Sequence, residues 1–333
     1  MTLAPQVVST LYFGGGTPSL LTPAEISSLL EAVRTHFTVE QQAEITLEAN
    51  PGTVTLASLG GYLAAGVNRL SIGIQSLDDR LLALLGRIHS AEEARAAFNL
   101  ARTAGFSNIG IDLMHGLPGQ TLAAWQDTLR QAVAMQPEHI SVYGLSVEAG
   151  TPFATKAEQG VLHLPEEELA AAMFELTAES LQSAGYELYE ISNFARPGYR
   201  SRHNQVYWRR GSYLGFGAGA HSFLSSPGYG ARWENPATLR EYAAVVRSGK
   251  LPDSGVLLTS KEAMSEFMFL GLRMLEGVDR GEFADQFGME MEEAFPNVIG
   301  NLCGKGLLTA EESMVRLSSR GLLLANVVMR EFV

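Results

Sequence analysis

The sequence predicts an α/β fold, a β/α barrel or barrel segment followed by a smaller helical unit. Three observations carry this. Short apolar runs alternate with amphipathic segments over residues 9–147, the order of a parallel sheet with right-handed crossovers. Nearly every run ends in polar residues or glycines, as at the active face of a β/α barrel, which favours a barrel over a doubly wound sheet. The pattern changes after about Thr151 and becomes helix-rich and acidic from about Ser260.

The strands read as residues 9–13, 44–49, 69–75, 108–114 and 139–147. Helices at 23–36, 56–65, 79–85, 91–104 and 122–135 lie between them, with apolar residues three and four apart. Thr22 before Pro23 and Glu25 reads as an N-cap with a first-turn proline, and Ser90 before Glu92 and Glu93 reads the same way. Gly66, Gly105 and Gly185 follow alanine-rich helices, as C-terminal caps do. Beyond Thr151 come a long helix at 165–184, a strand at 186–194, and a loop-rich stretch at 195–233 carrying aromatics and glycines. From Ser260, three helices, a short strand at 314–317 and a terminal helix from Ser319 give the order of a winged helix. The divisions fall at 1–150, 151–255 and 256–333. Acids such as Glu262, Glu276, Glu282 and Glu293 give the last unit a structural or docking role rather than DNA binding.

Composition excludes several classes. A length of 333 residues suits about two domains. A net charge of -12 argues against non-specific nucleic-acid binding and adhesion to anionic membranes. Cys303 is the one cysteine, so no internal disulfide forms and a reducing, cytoplasmic compartment fits. Residues 1–6 show no basic flank leading into an apolar run, so no signal peptide is read there. No apolar run approaches the ~20 residues of a membrane span. No Gly-x-x-x-x-Gly-Lys occurs, so the glycine run at 14–16 is not a P-loop.

The strand ends carry the chemistry. They are Gly14-Gly15-Gly16-Thr17, Glu48-Ala-Asn50-Pro-Gly, Ser71-Ile-Gly73-Ile-Gln75, Asp112-Leu-Met-His115-Gly, and Tyr143 with Ser146; Gly86-Arg87-Ile-His89 follows the third. Glycine lets the backbone approach a ligand closely, and its N–H groups can hold an anion or carboxylate. A strand carboxylate is expensive to bury unless paired or bound to a ligand. Glu48, Arg87 and Asp112 therefore either pair with one another or line a site for a ligand with an amine, a carboxylate and hydroxyls. His89 and His115 lie near that site, His36, His139 and His163 read as surface residues, and none has a metal-ligand spacing. Met114, Met135 and Met173 read as packing residues, and Cys303 as a buried structural thiol.

The ordered motifs Gly-Gly-Gly-Thr-Pro-Ser-Leu, Glu-Ala-Asn-Pro-Gly-Thr, Arg-Leu-Ser-Ile-Gly-Ile-Gln-Ser, Leu-Gly-Arg-Ile-His and Ile-Asp-Leu-Met-His-Gly-Leu-Pro-Gly-Gln-Thr run in series, and Tyr-Glu-Ile-Ser-Asn-Phe-Ala-Arg-Pro-Gly comes last. Together they resemble the coproporphyrinogen III oxidase-like branch of radical S-adenosylmethionine (SAM) proteins, over essentially the whole chain. The resemblance implies a partial (β/α)6 TIM-like barrel, here lacking its first strand, plus a C-terminal helical domain. It implies that Gly15, Gly16 and Thr17 receive the amino-acid end of SAM and that Glu48, Gln75, Arg87 and Asp112 complete its pocket. Glu48 and Asp112 suit hydroxyls or the amino group, and Arg87 suits the carboxylate.

Glu190-Ile-Ser-Asn-Phe-Ala-Arg-Pro-Gly198 with His203-Asn-Gln-Val-Tyr207-Trp208 looks like the heme chaperone HemW branch rather than the decarboxylating oxidase. That branch implies heme held by His203, with Tyr207 and Trp208 against the porphyrin, and a heme-accepting partner, soluble or membrane-associated. Arg200, Arg202, Arg209 and Arg210 would then meet heme propionates, and His221 is a second candidate ligand. Radical SAM proteins also carry a Cys-x-x-x-Cys-x-x-Cys loop for a [4Fe–4S] cluster, and a single cysteine cannot ligate one. A truncation explains this better than a genuine loss. The readings are a heme chaperone, a porphyrinogen oxidoreductase, and a cluster-less binding domain without catalysis; whether the chain is an enzyme stays open.

Overall fold

A computed structural model describes residues 7–249 and 255–333; the reading of residues 1–6 lies outside them. The chain forms two compact units, one ending at His203 and the other beginning at Asn204.

In the first unit β1 (Val7–Phe13), β2 (Thr38–Ala49), β3 (Arg69–Gln75), β4 (Ile109–His115) and β5 (His139–Gly144) are successive parallel neighbours. The crossovers are α1 (Pro23–His36), α2 (Leu56–Ala65), α3 (Asp79–Leu84), α4 (Ala91–Ala104) and α5 (Leu122–Met135). Their ends follow from the residues read in sequence. Thr22 with Glu25 and Ser90 with Glu93 close capping boxes, while Gly66 and Gly105 end their helices in the left-handed conformation. After α6 (Pro152–Glu158) and α7 (Glu167–Ser183) the chain does not add a sixth parallel strand. The run at 186–194 splits into a hairpin, β6 (Glu187–Glu190) and β7 (Asn193–Ala195), and β7 pairs antiparallel with β5. The split comes at Glu190, whose carboxylate accepts from Ser192 N and the Asn193 side chain and so builds a turn inside an apolar run. The result is a curled half-barrel with strand order β1-β2-β3-β4-β5-β7-β6.

The two faces of this sheet differ sharply. Ile45, Leu47, Leu70, Ile72, Ile109, Ile111, Leu113 and Ile140 form the core with Leu30, Leu59, Phe98 and Trp125 of the helices. Each such buried side chain contributes about 1.5–3 kcal/mol. The alternating positions, Thr46, Glu48, Arg69, Ser71, Asp112, His139 and Ser141, are polar and face the lumen.

The stretch 195–233 is less irregular than expected. It holds α8 (Arg202–Trp208), within which the division between units falls, and the hairpin β8 (His221–Leu224) and β9 (Ala231–Glu234). After α9 (Leu239–Ser248), β10 (Val256–Leu257) joins that hairpin. The rest of the second unit comprises α10 (Ser260–Gly271), β11 (Val278–Asp279), α11 (Arg280–Phe287), α12 (Met291–Ala294), α13 (Val298–Gly304), β12 (Leu308–Ala310), β13 (Met314–Leu317), α14 (Ser319–Leu323) and α15 (Ala325–Arg330). Its antiparallel sheet runs β11-β13-β12, and Phe267, Phe283, Phe287, Phe295 and Phe332 form an aromatic cluster beside it. Cys303, expected to be buried, is half-buried on α13.

Candidate functional site: a polar half-barrel lumen

The turn after β1 places Gly15 and Gly16 at φ +76° and +61°, conformations that favour glycine. Thr17 then leads into a single 3-10 turn, and its hydroxyl makes no cap bond. One glycine amide does hold a carboxylate, and it is the protein's own: Gly15 N donates to Glu48 Oε2 at 3.2 Å. The other oxygen, Oε1, accepts from Tyr12 Oη at 2.7 Å. Gly14 has no room for a side chain, because a Cβ there would lie 2.6 Å from the Tyr12 ring and 3.2 Å from Glu48 Oε1.

On β3 the pairing with β4 shifts register between Ile72 and Gln75, and Gln75 takes φ +68°. A non-glycine residue there is uncommon and marks a constrained position. Gly73 leaves the space into which Gln75 Nε2 and Arg87 Nη2 converge, 3.2 and 3.7 Å from where its Cβ would stand. Arg87 Nη1 donates to Asn50 Oδ1 at 3.3 Å, and burial lowers its pKa against the pull of Asp112. Asp112 accepts from Ser71 Oγ at 3.2 Å. Its pKa is raised by desolvation, with Ser141, Arg69 and Ser71 opposing and Glu48 reinforcing. Among the described residues, Glu48, Arg87 and Asp112 form no ion pair with one another. The fold therefore brings Gly15, Glu48, Gln75, Arg87 and Asp112 to one end of the sheet without using up their charges on each other.

His203 belongs to this lumen. The Glu44 carboxylate of β2 accepts from the Arg202 and His203 amides at 3.0 and 2.9 Å, fixing the start of α8. The His203 Nδ1 lies 2.9 Å from Thr10 Oγ1, and its ring stacks on Tyr12 at 4.8 Å and 17°. Burial, with the Arg69 charge, lowers the imidazole pKa to about 4. In the second unit, Tyr207 meets Tyr213 edge-on, and Trp208 lies 4.1 Å under the Arg273 guanidinium with its indole N–H buried and without a partner.

The expectation that Arg200, Arg202, Arg209 and Arg210 stand ready for propionates needs correction. They pair with Glu187, Glu40, Glu276 and Glu266 at 3.3, 3.1, 3.2 and 3.0 Å. The first three pairs are solvent-accessible and weak, whereas Arg210 is buried with Glu266. His139 is not a surface residue: it is buried against the Tyr189 hydroxyl at 2.9 Å. His36 and His163 are exposed as expected. His89 is buried on the Ile74 carbonyl, and His115 is buried beside Trp125 with its pKa lowered to about 4 by desolvation. His221 is exposed on β8, 3.9 Å from Glu234. Tyr143, near the end of β5, and Ser146, just past it, are exposed.

Sequence reasoning missed Thr10, Tyr12, Glu44, Arg69 and His139 as lumen residues. For Glu44, Arg69 and His139 the signal was present: buried parallel strands usually read as continuous apolar runs, and β2, β3 and β5 alternate polar with apolar, whereas β1, which holds Thr10 and Tyr12, does not.

Residues 2–132 match the Radical SAM superfamily, and 258–324 match the HemN C-terminal domain. The chain is 38% identical over 328 residues to heme chaperone HemW of Bacillus subtilis, covering 98% of this chain and 86% of that one. It is 36% identical to heme chaperone HemW of Escherichia coli, over 98% and 84% of the two chains. The chain belongs to the HemW family of radical SAM proteins. Another relative at 37% identity, covering 95% and 74%, is the mouse mitochondrial radical S-adenosyl methionine domain-containing protein 1. Among solved structures, Escherichia coli coproporphyrinogen III oxidase (HemN), a radical SAM enzyme, superposes with a TM-score of 0.81 at 26% identity, covering 98% of this chain and 78% of that one.

Membership implies SAM and a [4Fe–4S] cluster as cofactors of the family. The residues here do not fit the cluster. Cys303 is on α13 of the second unit, and no group of three His, Cys, Asp or Glu among the described residues is placed to hold a metal. They do fit SAM: an open glycine turn, carboxylates not ion-paired with Arg87, and a guanidinium held by one amide oxygen suit its amine, hydroxyls and carboxylate.

Proposed function

We propose that this chain is a heme chaperone: it takes up heme at His203 and hands it to an acceptor protein, on a scaffold that binds SAM. Similarity to HemW chaperones over nearly the whole chain supports the reading. The observation that carries the site is the His203 ring. In this reading the imidazole donates Nδ1–H to the Thr10 hydroxyl, 2.9 Å away, which is the tautomer that presents the Nε2 lone pair to iron. An imidazole with pKa about 4 stays neutral, and therefore able to ligate, through the physiological range. The acceptor is a heme-requiring protein, soluble or membrane-associated, and the compartment is the cytoplasm. Among the described residues no helix is long and apolar enough to cross a membrane.

In the SAM pocket Arg87 grips the carboxylate, Glu48 and Asp112 take the amine and hydroxyls, and Gly15, Gly16, Thr17 and Gln75 bound the amino-acid end. When bound, SAM supplies a sulfonium cation and a zwitterion.

Hemin titration tests the proposal. A Soret shift is expected for the wild type and the His221→Ala variant and is lost in His203→Ala; heme then moves from the wild type to apomyoglobin, used as an acceptor probe. A His203→Ala variant that binds hemin like the wild type overturns the assignment. The likeness to coproporphyrinogen III oxidase favours a second reading, a porphyrinogen oxidoreductase. It fails if a form of the protein that carries the Cys-x-x-x-Cys-x-x-Cys loop, reconstituted with iron and sulfide, gives no product from coproporphyrinogen III.

A further inference from the structure

We infer that Tyr12 joins the two ligand sites proposed above: one side chain positions both His203 for heme and Glu48 for SAM, so that filling one site changes affinity at the other. The inference rests on that reading and adds a residue that neither motif contains.

The geometry is direct. Tyr12 projects from β1 into the lumen, two residues from Thr10 and on the same face. Thr10 bonds the His203 Nδ1, and the Tyr12 ring lies flat on the same imidazole. The Tyr12 hydroxyl reaches the other way, to Glu48 Oε1. Glu48 in turn is tied through Oε2 to Gly15, the residue proposed to meet the amino-acid end of SAM. The ring occupies the space that a side chain at position 14 would need: a Cβ there would stand 2.6 Å from it. Burial and the adjacent Glu48 hold the phenol pKa well above its ordinary value, so Tyr12 remains a donor.

The direction follows. Tyr12 donates into a carboxylate that is otherwise held by one amide. A SAM amine or hydroxyl that engages Glu48 restrains that carboxylate, hence the Tyr12 hydroxyl, hence the ring under His203. A histidine ordered in advance binds its ligand more tightly, because less freedom is lost on binding. Reciprocity then requires heme to tighten SAM by the same factor.

The test measures hemin affinity by Soret titration with and without saturating SAM, and SAM affinity by calorimetry with and without hemin, in wild type, Tyr12→Phe and Tyr12→Leu. Circular dichroism and melting curves establish that each variant is folded. In the wild type, SAM is expected to tighten hemin about 5-fold, with the same factor in the reverse experiment. Tyr12→Phe keeps a ring for the stack and loses only the hydroxyl, so the factor falls to less than about 2. Tyr12→Leu loses both contacts, so hemin also binds more weakly without SAM. A wild-type factor near one, a weakening by SAM, or a Tyr12→Phe variant that retains the full factor overturns the inference while leaving both sites standing. If the wild type shows no Soret shift that depends on His203, or no heat with SAM, the site reading has failed and the link falls with it.

Discussion

Within the glycine turn, Gly14 and its two neighbours are required for different physical reasons, and substitution separates them. A methyl group at Gly14 would stand 2.6 and 2.9 Å from Tyr12 ring carbons and 3.2 Å from Glu48 Oε1. The ring is stacked on His203 and its hydroxyl is fixed on Glu48, so it cannot yield cheaply. Overpacking of this kind costs about 1–3 kcal/mol. Glu48 and Tyr12 absorb the strain, so it appears as a loss of SAM affinity of about 10- to 100-fold together with a changed Soret band. Gly15 and Gly16 meet nothing within 4 Å of an added Cβ. Their cost is the left-handed backbone alone, about 1 kcal/mol each. Calorimetry with SAM and hemin spectra on Gly14→Ala, Gly15→Ala and Gly16→Ala check this. The reasoning is refuted if Gly14→Ala binds both ligands like the wild type, or if Gly15→Ala disturbs the heme spectrum as much as Gly14→Ala does.

Three further predictions concern stability. His115 and His203 titrate near pH 4 in the folded chain, and His139 lies well below its ordinary value of 6.5, all through burial. Between those values and 6.5 the unfolded chain binds more protons, so stability falls as pH drops from 6.5 towards 4, while the capping carboxylates Glu25, Glu93 and Glu262 lose their contribution only below 4.5. Urea midpoints that are equal at pH 7.5 and pH 5 contradict this. Glu266 holds the buried Arg210 at 3.0 Å and Arg232 at 2.8 Å. Glu266→Gln strands a buried cation and destabilises by about 3–5 kcal/mol, whereas Glu311→Gln, which breaks the exposed pair with Arg316, costs less than about 1 kcal/mol; chemical denaturation of both variants tests the ranking. Trp125 Nε1 donates to Met173 O and Thr177 Oγ1 at 3.1 and 2.9 Å, joining α5 to α7. Trp125→Phe therefore lowers stability by about 1–3 kcal/mol, and an unchanged melting temperature argues against that link.

Local chemistry explains how much of the fold was legible. The bounds of α1, α2, α4 and α5 could be read to the residue because caps such as Thr22, Ser90, Gly66 and Gly105 are written next to them. The β6–β7 hairpin was not legible: its turn is made by a glutamate and an asparagine inside an otherwise apolar run. The glycine turn, Glu48, Gln75 and Asp112 were visible as strand ends and Arg87 in the motif after α3, but Tyr12 and Thr10 were hidden as ordinary members of an apolar run. The arginine partners Glu40 and Glu187 were invisible because ion pairs between distant segments leave no mark in spacing. His203 was picked from its motif, yet its place against β1 comes from Glu44, which lies 159 positions away.

Pulsed electron paramagnetic resonance of the ferric heme complex, prepared with 15N-labelled histidine, tests the central claim most directly. The account predicts a directly bound imidazole nitrogen whose coupling vanishes in His203→Ala and persists in His221→Ala. A coupling that survives in His203→Ala, or that disappears with His221 instead, contradicts it.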